Sequence, residues 1–225
     1  MVKGLILTAG ILVMMSATAN DYPAMAPFGQ YASSDEAAEI ALARSAAPAA
    51  ISGAAEILVL DAQGYHRAAA GSNGFTCLVE RAWNDGLDDP QFWNPKIRAP
   101  NCYNAAAARS VLPVYLKRTE WALHGVSAAG IKDKLRQAAA AKAIAPPEAG
   151  AMSYMMSKDS YLSDAEGHAH PHMMFYLPPS EPGIWGANVK GSPIFADQGA
   201  PEPLTIFFIS TLSWSDGSPA SGHQN

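Results

Sequence analysis

The stretch Asp164-Ala165-Glu166-Gly167-His168-Ala169-His170-Pro171-His172-Met173-Met174 carries an acidic group, an imidazole or a thioether at every second position. Along an extended chain alternate side chains share a face, so His168, His170, His172 and Met174 fall on one side with Asp164 and Glu166. Imidazole is the commonest metal ligand, and three such nitrogens with one open position are an arrangement used by catalytic zinc. Met152, Met155, Met156, Met173 and Met174 gather in two segments. If 151–157 pairs with 172–177 as strands, thioethers lie beside the imidazoles, a mixture that suits copper.

Two chemistries follow from that ligand set. Copper held by His and Met implies sequestration or delivery without turnover. Zinc held by three imidazoles activates water, with Glu166 the nearest candidate base. A plainer reading covers the same residues: Gly167 and Pro171 interrupt the alternation, Pro belongs at a strand start or edge, and Met173 to Leu177 reads as a buried strand entered by a polar loop. Both readings stand at this point.

The common catalytic signatures are absent. The chain has no G-x-G-x-x-G, no G-x-x-x-x-G-K-[ST], no H-E-x-x-H and no G-x-S-x-G, which removes support for nucleotide-dependent transfer and for the usual serine-hydrolase and zincin designs. Ser72, inside Gly71-Ser72-Asn73-Gly74, fits a turn without any chemistry. His66 and His124 each stand alone and read as structural.

The N-terminus sets the expected compartment. Lys3 precedes an apolar run too short to span a bilayer, and Ala17-Thr18-Ala19 supplies small residues at −3 and −1 of a cleavage site. Residues 1–19 therefore read as a signal peptide, leaving a mature chain of 206 residues with 14 basic and 20 acidic side chains. That acidic balance, without basic clusters, excludes nucleic acid and anionic membrane surfaces as expected partners, and no integral membrane anchor is expected after cleavage. Cys77 and Cys102 are the only cysteines. In an exported chain they read as a disulfide, restricting the unfolded chain by roughly 3–4 kcal/mol in the entropy model.

The elements that must position these groups follow from local signals. Ser33-x-x-Glu36 has capping-box spacing for a helix to Arg44. Segments 56–60, 65–70 and 75–81, separated by turns that include Asn73-Gly74, read as an antiparallel meander. Residues 84–101 read as a loop whose Phe92 and Trp93 pack or bind. Asn104 caps the alanine run that follows, Pro113 starts a second helix that Gly125 ends, and Ser127 caps a third with Ile131 and Leu135 on its apolar face. Segments 151–157, 172–177 and 204–212 read as strands.

The expectation is an exported, periplasmic or secreted α+β protein. Its single domain over 20–215 has an antiparallel sheet (a meander plus C-terminal strands) and a helical insertion packed on one face, followed by a flexible tail over 216–225. Its best functional reading is copper or zinc binding through His168, His170, His172 and Met174. The alternative is a non-catalytic ligand-binding or interaction module without metal, using aromatic loops around Phe92-Trp93 and Trp185. Whether the partner is a small ligand or a protein stays open.

Overall fold

The computed structural model describes residues 22–165, 170–198 and 201–220. The leader at 1–19, together with Glu166 and His168, lies outside the described residues.

Eight strands form one sheet in the order β2-β1-β3-β4-β5-β6-β8-β7. They are β1 (Glu56–Asp61), β2 (Gly64–Ala69), β3 (Thr76–Glu80), β4 (Ala99–Tyr103), β5 (Met152–Met155), β6 (His172–Leu177), β7 (Ile194–Asp197) and β8 (Thr205–Ser210). Every pairing is antiparallel except that of β1 with β3. The protein is thus an α+β fold, but its first three strands are not a meander. Asn73-Gly74 does not close a hairpin between β2 and β3; it carries the chain back past β2 so that Ile57 pairs with Cys77 in parallel. Gly71 is needed on that path because a Cβ there would sit 2.1 Å from the Glu56 nitrogen.

Helices cover both faces. On one face, α1 (Glu36–Arg44) and the short α2 (Ala49–Ser52) adjoin a core of Ala43, Ile57, Val59, Val79 and the fully buried Cys77–Cys102 disulfide. The two cysteines are direct cross-strand partners on β3 and β4. On the other face, the insertion between β4 and β5 supplies α3 (Ala105–Ser110), α4 (Leu112–Leu123) and α5 (Ala128–Ala140). Asn104 caps α3 by accepting from the Ala107 N–H, Ser127 caps α5 by accepting from Gly130, and Gly125 ends α4 at a φ of 76°. For α1 the cap is Asp35, whose carboxylate accepts from the Ala38 N–H, and Ser33 instead bonds to Asp35.

The loop after β3 contributes to the core. Phe92 and Trp93 are buried with Tyr31, Trp83, Ile131 and Leu135, and their rings meet edge to face at 4.7 Å. They anchor the loop and present no binding surface, which corrects that half of the interaction reading; Trp185 stays half exposed against Phe207. Strand β7 lies at the sheet edge, yet the side chain of Asn188 both donates to the Ala196 carbonyl and accepts from its N–H, each at 2.9 Å. Those outward groups are therefore unavailable for pairing with another strand. Residues 213–220 turn back on themselves through a Ser213–Pro219 bridge and an ion pair between Lys158 and Asp216. Among the described residues no helix is long and apolar enough to cross a membrane.

Candidate functional site

Strand alternation turns Leu78 and Glu80 of β3, Asn101 and Tyr103 of β4, Met155 of β5, and His172, Met174 and Tyr176 of β6 toward the insertion helices. Over them lies α4, where the spacing of Val111, Val114, Tyr115 and Arg118 follows the helical period. Between sheet and helix is a cavity of about 460 Å³, a size common for small-molecule sites. Its apolar wall includes Val114, Met155, Leu162, Ile206 and Phe208.

One end of the cavity is densely polar. The Glu80 carboxylate is buried and accepts hydrogen bonds at Oε1 from the Tyr103 hydroxyl and, at 3.4 Å, from Asn101 Nδ2. Burial pushes this carboxyl up to about 7, against the pull of those two hydrogen bonds. Burial also raises the neighbouring Asp85. Arg118 donates through Nη2 to the Asp85 carbonyl and places Nη1 3.9 Å from Glu202, with its guanidinium over the Tyr115 ring. Asn84, at the end of a 3-10 turn after β3, sets Oδ1 3.5 Å from Thr119 Oγ1.

Four buried side-chain atoms among the described residues have no hydrogen-bond partner: Asn84 Nδ2, Asn101 Oδ1, Arg118 Nε and Glu202 Oε2. All four residues line this one cavity. A buried polar atom left unsatisfied costs about 1–3 kcal/mol, so the polar end of this cavity gathers the unmet hydrogen-bonding groups of the described residues. No family model matches the chain, and neither a curated protein nor a solved structure matches it.

His172 and Met174 line the same cavity from the far side. Met155 pairs with His172 and Ser153 with Met174, so thioethers and imidazole do lie side by side across β5 and β6. His172 lines the cavity, packs on Phe208 and sets Nδ1 2.8 Å from the His170 carbonyl. A carbonyl only accepts, so Nδ1 carries the proton; burial lowers the pKa of the ring and favours the neutral form, which leaves the lone pair on Nε2. Met174 is buried, and its sulfur accepts from the Tyr176 hydroxyl at 3.7 Å. His170 is exposed.

Asp164 has a different task. Its carboxylate accepts from Lys96 at 2.8 Å, from Asn94 at 3.2 Å and from the hydroxyls of Tyr161 and Tyr22. Lys96 and the Tyr161 and Tyr22 hydroxyls together hold it well below the usual carboxylate range. It clamps three segments of chain. Among the described residues no group of three or more His, Cys, Asp or Glu side chains is placed to hold a metal ion.

Two strands separate β3 from β6, so Glu80 and His172 sit at opposite ends, their strands about 14 Å apart at the usual strand spacing. They are not a hydrogen-bonded acid–base pair. Sequence reasoning finds the His172 end and misses Glu80, Asn84, Asn101, Arg118 and Glu202. The available signal is Arg118, a cation on the Val111/Tyr115/Ala122 stripe of a helix whose period is otherwise apolar there.

Proposed function

We propose that this chain is an exported protein that binds a small organic ligand in the cavity between its sheet and α4. The observation that carries this reading is that all four residues with a partnerless buried polar atom line one partly open, largely apolar cavity. Val114 lines the cavity one turn from Arg118 on α4, and Val114→Phe reduces the space without removing any of the four polar groups. Ligand-observed NMR against a fragment library is expected to return hits for the native protein that Val114→Phe loses. Hits that survive the variant, or no hits at all, contradict the reading.

Export is supported by the leader pattern of residues 1–19 and by the Cys77–Cys102 disulfide, which an oxidising compartment preserves. The intact mass of protein recovered from outside the cytoplasm is expected to begin at Asn20; a chain retaining Met1 there sinks the proposed cleavage.

A second reading keeps the metal, and the hydrogen bond from His172 Nδ1 to the His170 carbonyl favours it. That bond leaves Nε2 as the ligating nitrogen, as in many metal-binding histidines. This reading requires His168 and His170 as the other two imidazoles, with Met174 the candidate thioether for copper. Untagged protein purified without a metal column is expected to hold about one copper or zinc per chain, lost in His168→Ala/His170→Ala/His172→Ala. An empty native protein with no better affinity than an unstructured histidine peptide rules this out.

A further inference from the structure

We infer that the ligand of the cavity is an uncharged amphiphile, with hydroxyl or carboxamide groups at one end and an apolar body at the other. This rests on the cavity reading above and names the chemistry of its occupant.

The four partnerless atoms divide evenly. Asn84 Nδ2 and Arg118 Nε donate, whereas Asn101 Oδ1 and Glu202 Oε2 accept. A carboxylate or phosphate only accepts, so it leaves the two oxygens unmet and faces Glu202 directly. An ammonium only donates, so it leaves Asn84 and Arg118 unmet and faces a guanidinium. Hydroxyls and carboxamides do both, and one such head group with two or three polar atoms can satisfy the set. The residues carrying these atoms are between 1 % and 7 % exposed, so their bonds form away from competing solvent.

Charge points the same way. Glu80, Asp85, Asp88, Asp89, Asp197 and Glu202 line the cavity, against Arg118 and an Arg81 already paired to Glu39. Asp88 is paired to Lys132, and the remaining surplus of carboxyl groups repels anions; the guanidinium of Arg118 and the two unmet donors are what disfavour an ammonium. Burial raises the Glu80 carboxyl toward its neutral form, in which it donates as well as accepts. At the other end Met155, Leu162, Ile206 and Phe208 form an apolar wall beside the His172 ring, which fits a mainly hydrocarbon or aromatic body.

Four probes with a common phenyl body and different heads separate the classes: phenyl β-D-glucopyranoside, N-benzylacetamide, benzoate and benzylammonium. Titration of the full-length mature protein at neutral pH, followed by calorimetry, is expected to show at least one uncharged probe binding about tenfold more tightly than either ion. That affinity is expected to fall about tenfold in Asn101→Leu and in Glu202→Gln, the second variant serving if the first unfolds. Benzoate or benzylammonium binding as tightly as the uncharged probes overturns the class while leaving the cavity reading intact. If none of the four binds, the class falls. If the fragment screen also yields no hit sensitive to Val114→Phe, the cavity reading falls with it.

Discussion

Replacing Arg81 with methionine is expected to destabilise the protein by about 3–5 kcal/mol, the cost of leaving a buried charge without its partner. Arg81 is fully buried at the end of β3. Its Nη2 donates to Glu39 at 2.7 Å, its Nε to the Tyr31 carbonyl at 2.8 Å, and its Nη1 to the Val79 carbonyl. One side chain thus joins α1, the N-terminal segment and the sheet. Methionine fills much of the volume but removes the donor to the Glu39 carboxylate and to the Tyr31 carbonyl, while the Val79 carbonyl keeps the Tyr65 hydroxyl. For a domain of this size the melting temperature should fall by about 10 °C. Adding Glu39→Met should recover part of the loss, because removing both charges also removes their desolvation. A single variant within about 0.5 kcal/mol of the native protein, the scale of a neutral surface change, contradicts the structural role assigned to Arg81.

The second large effect is a pH dependence carried by Glu80. Its folded carboxyl titrates at about 7, above the ordinary 4.5, because burial disfavours the charged form. Between those values the folded state holds the proton more tightly than the unfolded chain, so stability falls as pH rises. The gap corresponds to about 3 kcal/mol, present as a penalty in full only above pH 7 and absent below about 4. Glu80→Gln keeps an acceptor for Tyr103 and Asn101 and cannot ionise. Denaturant unfolding is expected to show the native protein losing about 3 kcal/mol relative to this variant between pH 4 and 8. Arg118 offsets part of the charge and Asp85 adds to the repulsion, but both are common to the two proteins. Parallel curves would remove Glu80 from the account of the polar end.

These expectations reach beyond what could be read from the chain alone, and the boundary between legible and illegible is physical. Asn104, Ser127, Pro113 and Gly125 mark helix ends through bonds within a few residues, so their signals survive in one dimension. The cap of α1 moved from Ser33 to Asp35 because two good capping residues stand close together and geometry selects the one whose carboxylate reaches Ala38. The parallel pairing of β1 with β3 depends on where β2 settles, which no local turn encodes. Strand β7 carries little signal in the sequence because it is four residues long, lies between Gly/Pro segments and takes its edge partner from Asn188.

The site divides in the same way. His172 and Met155 were legible as neighbours because residue alternation and one strand pairing suffice to bring them together. Glu80, Asn101, Arg118 and Glu202 come from β3, β4, α4 and the loop before β8. Only the sheet order and the placement of α4 gather them, so nothing in their individual spacing announces a pocket. Asp164 shows the converse: a conspicuous acidic residue in a suggestive motif whose carboxylate is occupied by four donors from the surrounding chain.

The claim that the cavity under α4 is the ligand site is tested most directly by a methyl-resolved NMR titration with each compound that binds. The described surface offers a competing location, the exposed apolar side chains Ile184, Val189 and Phe195 on and near the β7 edge. Shifts confined to the methyls of Val111, Val114, Met155 and Ile206, with Ile184 and Val189 unmoved, are the predicted result. Shifts centred on Ile184 and Val189, with the cavity methyls unchanged, would contradict it.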